Sequence, residues 1–171
     1  FYFSYVSVAT KSLIIFLKIR YYFTNIMAMS RSTTPCLGIC STTYGDNVCK
    51  GCKRYVHEVI DWNKFNSKEK ELVNIRLEKF KKIVLKSRFS INDESVLAQK
   101  LKDNAIRFNN SLDPLTWIFD LLRASGTQEL DLAEFGITTL IKEPLSVTRE
   151  DINKEFLELS EAHHERYFKG L

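Results

Sequence analysis

Apolar residues recur at helical spacing along most of the chain beyond residue 55, separated by short runs of capping and turn residues. Leu72, Val73, Leu77, Phe80 and Val84 form one stripe at three- and four-residue intervals, the signature of a helix that buries a single face. Asn66 with Glu69 three residues on makes a capping box in front of it, each side chain taking a backbone N–H that the first helical turn leaves without a partner. The spacing predicts a helix from there to about Ser87. A shorter helix is predicted just ahead, from Val56, Val59 and Ile60, ending near Trp62 and Asn63. Ser90 with Asp93 predicts the start of another, carrying Val96, Leu97 and Leu101. Asp113 and Pro114 then pair an N-cap with a residue pre-set for the first helical position. Leu112 can staple against Trp117, and Leu115, Ile118, Phe119 and Leu122 continue to a stop at Gly126. Residues 127–145 are apolar at less regular spacing and predict a short helix and then a small strand. Thr148 with Asp151 predicts the cap of a last helix, on which Ile152, Phe156, Leu159, His163 and Tyr167 share a face.

Residues 30–55 break this pattern. They are polar, rich in turn formers and poor in large apolar side chains, and Pro35 favours an extended approach into Cys36. All four cysteines of the chain lie here, as Cys36, Cys40, Cys49 and Cys52, in the spacing C-x3-C-x8-C-x2-C. Gly45, Asp46 and Asn47 between the pairs suit a tight reversal that brings the pairs face to face. The predicted fold is therefore mainly α, a small irregular four-cysteine metal-binding knuckle with a helical, bundle-like extension after it. Residues 30–88 make the metal module with two helices, and residues 89–171 form the extension packed on it.

The cysteines read as one device because they cluster and none lies elsewhere. Close spacing lets two sulfurs approach one ion from a single turn. Gly38 and Gly51 lie inside the pairs, where a side chain would obstruct that turn, and Lys50, Lys53 and Arg54 offset thiolate charge. Ligation would supply the stability that packing in this segment does not. A two-disulfide framework would need an oxidising compartment, and no ordinary secretory leader is recognisable, so a cytoplasmic setting is expected. Four thiolates serve Zn2+ and iron-sulfur clusters alike, and the eight-residue gap is tighter than the roughly 15–20 residues of a two-knuckle zinc ribbon.

The runs Pro35 to Cys40 and Asn47 to Arg54, with Ile60, Asp61 and Trp62 beyond them, resemble a family of small bacterial proteins, the predicted iron-sulfur proteins of the YdhL type, a domain of unknown function. The resemblance spans roughly Pro35 to Leu77 and includes the capped helix after Trp62. It implies an iron-sulfur cluster held by Cys36, Cys40, Cys49 and Cys52, and it implies nothing for the chain from Arg88 onward.

Residues 1–26 are dense in Phe, Tyr, Ile and Lys and precede Met27 and Met29. They read as translated upstream sequence, with a weak membrane-interfacial segment as the competing account of residues 1–29. Lys11, Lys18 and Arg20 interrupt the apolar run well short of the ~20 residues a spanning helix needs, so no transmembrane span is expected. The 171 residues carry a formal net charge of +4, which permits an anionic partner without requiring one. Arg76, Lys79, Lys82 and Lys86 could touch nucleic-acid phosphates, or the run is a solvated helix face. His57 is expected at the surface, His163 at a core edge and His164 in solvent. No Ser-His-Asp set, nucleotide loop or convergent carboxylate pair is present, so no catalytic residues are assigned. The function expected is a small metal-binding protein, iron-sulfur first, acting in electron transfer or in redox or iron sensing, with a protein partner. The alternative is a zinc-stabilised module that binds protein or nucleic acid.

Overall fold

The computed structural model describes residues 34–168, so the reading of residues 1–29 falls on residues outside those described. The chain is mainly α. After the cysteine segment come α1 (Val56–Ile60), α2 (Ser67–Leu85), β1 (Phe89–Ile91), α3 (Glu94–Asp103), α4 (Pro114–Ala124), β2 (Ile137–Thr139) and α5 (Leu145–Phe168). Two 3-10 turns, Thr42–Tyr44 and Leu132–Phe135, complete the described elements.

The capping box of α2 forms as its sequence demands: Asn66 accepts from the amides of Lys68 and Glu69, and Glu69 returns to the amide of Asn66 at 2.7 Å. Val73, Leu77, Phe80 and Val84 then face inward, where α2 packs against α4 and α5. Around them Leu97, Leu101, Trp117, Ile118, Leu121, Ile152 and Phe156 close one continuous core. Trp117 is anchored by Nε1 donating to the Asn109 carbonyl at 2.8 Å and by packing on Phe108. This satisfies its one polar atom inside an apolar site.

Three expectations change. Leu72 is 67% exposed and does not belong to the buried stripe. Ser90 does not cap a helix: it lies in β1, and Asp93 is the N-cap of α3, accepting from Ser95 and Val96. β1 pairs antiparallel with β2, Phe89 opposite Thr139 and Ile91 opposite Ile137, and three residues are too few to show alternation in a sequence. The irregular stretch 127–145 does resolve into a 3-10 turn and then a strand, as its spacing predicts. The last helix begins at Leu145, three residues before the expected cap. Thr148 is inside it and fully buried, donating to the Pro144 carbonyl at 3.0 Å, while the Glu129 carboxylate accepts from the amides of Leu145 and Ser146. A carboxylate from a distant loop thus does the capping, also favoured by the helix dipole. No helix among the described residues is long and apolar enough to cross a membrane.

Candidate metal centre

The second cysteine pair sits on a turn fixed by its own backbone. The Cys49 amide donates to the Arg54 carbonyl and the Lys53 amide to the Cys49 carbonyl, both at 2.8 Å, and an isolated bridge joins Val48 to Tyr55. Lys53 turns the corner with φ of 61°, a left-handed conformation that non-glycine residues seldom take. The incoming segment crosses over this turn: the Cys49 Sγ lies 3.7 Å from the Ile39 carbonyl oxygen, and the Lys50 amide donates to Ser41 Oγ at 2.8 Å. Gly51 makes the crossing feasible, since a Cβ there would come within 2.7 Å of the Ile39 oxygen. The glycine in the motif is therefore explained by close approach of two backbones, with ordinary φ.

Cys49 is 1% exposed. Burial pushes its thiol up, but hydrogen bonds from the backbone at Cys52, Ser41 and Gly51, together with the Cys52 thiol, outweigh that and bring it to about 7. A thiol in this range is partly thiolate at neutral pH, the form that ligates metal. For Cys52 burial dominates and raises the thiol, against the Arg54 guanidinium, whose Nε donates to Sγ at 3.3 Å. Arg54 also stacks on Trp62, 4.6 Å from the ring centroid. The basic residue expected to offset sulfur charge is thus found in contact with a sulfur.

The first pair is held more loosely. Cys36 is exposed and its Sγ accepts from the Gly38 amide at 3.4 Å, in a turn where Gly38 has φ of 85°. Cys40 Sγ lies 2.9 Å from Thr42 Oγ1. All four cysteines are free thiols. Among the described residues no three metal-ligating side chains are gathered in a geometry that would hold an ion. The donor set is nonetheless of the right chemistry for a thiophilic metal. The Cys49 and Cys52 sulfurs are already neighbours, and the loop of the other pair lies against them through Ile39 and Ser41.

Behind this turn is a cluster that composition and spacing did not reveal. Lys53 is 1% exposed; its ammonium donates to the carbonyls of Lys50 at 2.5 Å and Gly51 at 3.2 Å, and to Asn153 Oδ1 of α5, beside the ring of Phe156. Burial lowers its pKa to about 8. Tyr55 is buried too, its hydroxyl 2.7 Å from His163 Nδ1 and its ring 3.7 Å beneath the Arg76 guanidinium. Arg76 in turn forms a two-pronged pair with Glu58, at 2.6 and 2.7 Å, and Glu58 also accepts from the Tyr55 amide. Glu58, and not the predicted apolar residues, is the buried member of α1, while Ile60 is exposed. His164 is packed on Tyr55 and Phe168 and does not point freely to solvent.

The basic run is divided in the same way. Arg76 is turned inward to Glu58 and Lys82 pairs with Asp113, leaving Lys79 and Lys86 outward. A cleft of about 530 Å³, lined by Arg107, Asp120, Arg123 and Phe135 among others, includes none of the cysteines.

Residues 34–81 match the family model described as Protein of unknown function (DUF1289). The matched segment holds all four cysteines, α1 and α2 as far as Lys81, and stops short of every residue of α5 that closes over it. No curated protein and no solved structure matches the chain.

Proposed function

We propose that the protein is a small metal-binding module in which Cys36, Cys40, Cys49 and Cys52 hold an iron-sulfur cluster used for electron transfer or for sensing redox state or iron. What carries this reading is the Cys49 sulfur, buried in a turn whose backbone hydrogen bonds hold its thiol at about 7. Amide hydrogen bonds to sulfur and a nearby guanidinium on Cys52 stabilise the negative charge that four thiolates impose. Cys49 and Cys52 are the preformed half; Cys36 and Cys40 would complete the set by turning their sulfurs inward from Gly38 and Thr42. A cluster there would supply one-electron chemistry, and Cys36, the exposed member of the set, would be its ligand nearest to solvent or a partner.

The same donor set suits Zn2+, and the second reading is a closed structural zinc site. The observation that favours it is the buried framework behind the turn, where Lys53 and Tyr55 tie the cysteine segment to α5; a site with that role needs only to hold the fold. Metal analysis of anaerobically purified protein separates the two. Brown protein with iron and acid-labile sulfide, both lost in Cys49→Ser, supports the cluster. Colourless protein with one zinc per chain assigns the structural role, and protein with no bound metal in either case removes the metal reading.

A further inference from the structure

The outward face of α2 is unlike an ordinary solvated helix surface. Taking ~100° per residue, Lys68, Leu72, Ile75, Lys79 and Ile83 fall within an arc of about 80°, with Lys86 in line at the C-terminal end. Leu72, Ile75 and Ile83 are 67%, 55% and 40% exposed. None of the three lysines takes part in an ion pair among the described residues. The arc contains no carboxylate. Leu72, Ile75 and Lys79 keep the three-then-four spacing by which one helix seats against another. From Leu72 to Lys86 this seam is roughly 21 Å long, about four turns.

We infer that this face docks an acidic amphipathic helix of a partner protein. The aliphatic side chains call for an apolar stripe opposite them, and the lysines beside them call for glutamates or aspartates at its flanks. A second copy of the same face fits less well, because it brings lysines and no carboxylate to answer Lys68, Lys79 and Lys86. Nucleic acid fits poorly as well. Arg76 and Lys82 are committed to Glu58 and Asp113, the remaining cations are spaced by aliphatic residues that offer nothing to phosphate, and no aromatic ring on the face can stack on a base.

The test uses the full chain and two fluorescent synthetic peptides of identical composition. One places leucines on the seam and glutamates on the flanks of a helix, and the other scrambles that order. The ordered peptide is expected to bind, to gain helicity, and to weaken as salt rises. Ile75→Asp and Lys79→Glu are each expected to weaken it by about tenfold or more, the cost of losing a central anchor, while Lys102→Glu on α3 leaves it unchanged. Thermal melts check that the variants fold; if Ile75→Asp does not, Ile75→Ser takes its place. Equal binding of the scrambled peptide, indifference to both α2 variants, absence of binding, or preferential binding of duplex DNA or of anionic phospholipid vesicles through these residues would overturn the assignment.

Discussion

Replacing Arg76 with Met asks how much the buried ion pair behind the cysteine turn contributes. Glu58 and Arg76 have side chains only 6% and 15% exposed and meet at 2.6 Å, with a second bond at 2.7 Å. An exposed pair of the same type is worth under about 1 kcal/mol. Here, Arg76→Met leaves the Glu58 carboxylate out of water with only the Tyr55 amide as donor, and uncovers the ring that the guanidinium stacks on. Breaking one side of a buried pair costs about 3–5 kcal/mol, a large part of the ~5–15 kcal/mol that holds a typical domain folded. Glu58→Leu is expected to cost a similar amount by stranding the cation. The double variant removes both charges together, and its main loss is the acceptor for the buried Tyr55 amide, about 1–3 kcal/mol. Denaturant unfolding of all four proteins, monitored by tryptophan fluorescence at one fixed metal content, therefore yields a strongly non-additive cycle with a coupling of several kcal/mol. Single variants that each lose less than about 1 kcal/mol and add without coupling would refute the argument and return Arg76 to the surface run.

The same region carries further expectations. Gly51→Ala forces a Cβ to within 2.7 Å of the Ile39 oxygen, so the first cysteine pair should lift from the second; faster amide exchange at residues 36–41, with α4 unaffected, is the signal. Lys53→Met removes the donor shared by the turn carbonyls and Asn153, and should expose the start of α5's contact with the cysteine turn to limited proteolysis while leaving the α2 and α4 core intact. His163 and His164 are both held below the ordinary 6.5, by burial first, then by Arg76, Lys79 and Arg166 for His163 and by His57 and Arg76 for His164, with Glu58 opposing in each case and Glu165 also opposing at His164. The unfolded chain thus binds more protons than the folded one just below that pH, so this contribution to stability is fully present above about 6.5 and declines as pH falls. Melting temperatures measured across that range should rise with pH, and the slope should flatten in a His163→Gln/His164→Gln variant; an unchanged slope would remove the histidines as its source.

What could be read directly from the residues was whatever is local. Asn66 with Glu69, and Asp113 with Pro114, announce their helices because a cap and its partner lie within one turn. The cysteine spacing with Gly38 and Gly51 marks its segment for the same reason. Apart from the exposed Leu72 and Ile60, the places where expectation failed involve partners far apart in the chain. Ser90 beside Asp93 imitates a capping box, but the antiparallel pairing of β1 with β2, which sets Ser90 opposite Thr138, claims it. Thr148 beside Asp151 imitates another, and Glu129 supplants it. Nothing local marks Glu58 for burial, and only the position of Arg76 on the next helix makes that burial feasible. Lys53 does lie in the field of the Cys49 and Cys52 sulfurs as its place in the motif suggests, but its burial against an asparagine 100 residues away has no local signal.

That last distance sets an order of events during synthesis. The cysteine turn leaves the ribosome early, yet the side chain that seats its lysine is made 100 residues later, which at typical elongation speeds is a wait on the order of 5–20 s. Through that interval Lys53, Tyr55 and Phe80 have no α5 to cover them. On the metal-binding reading proposed above, a nascent chain in this condition would meet metal before α5 exists, so the order in which metal and helix arrive would become a kinetic choice, and a truncated product ending before Asn153 would be born with an ammonium group short of one of its three acceptors.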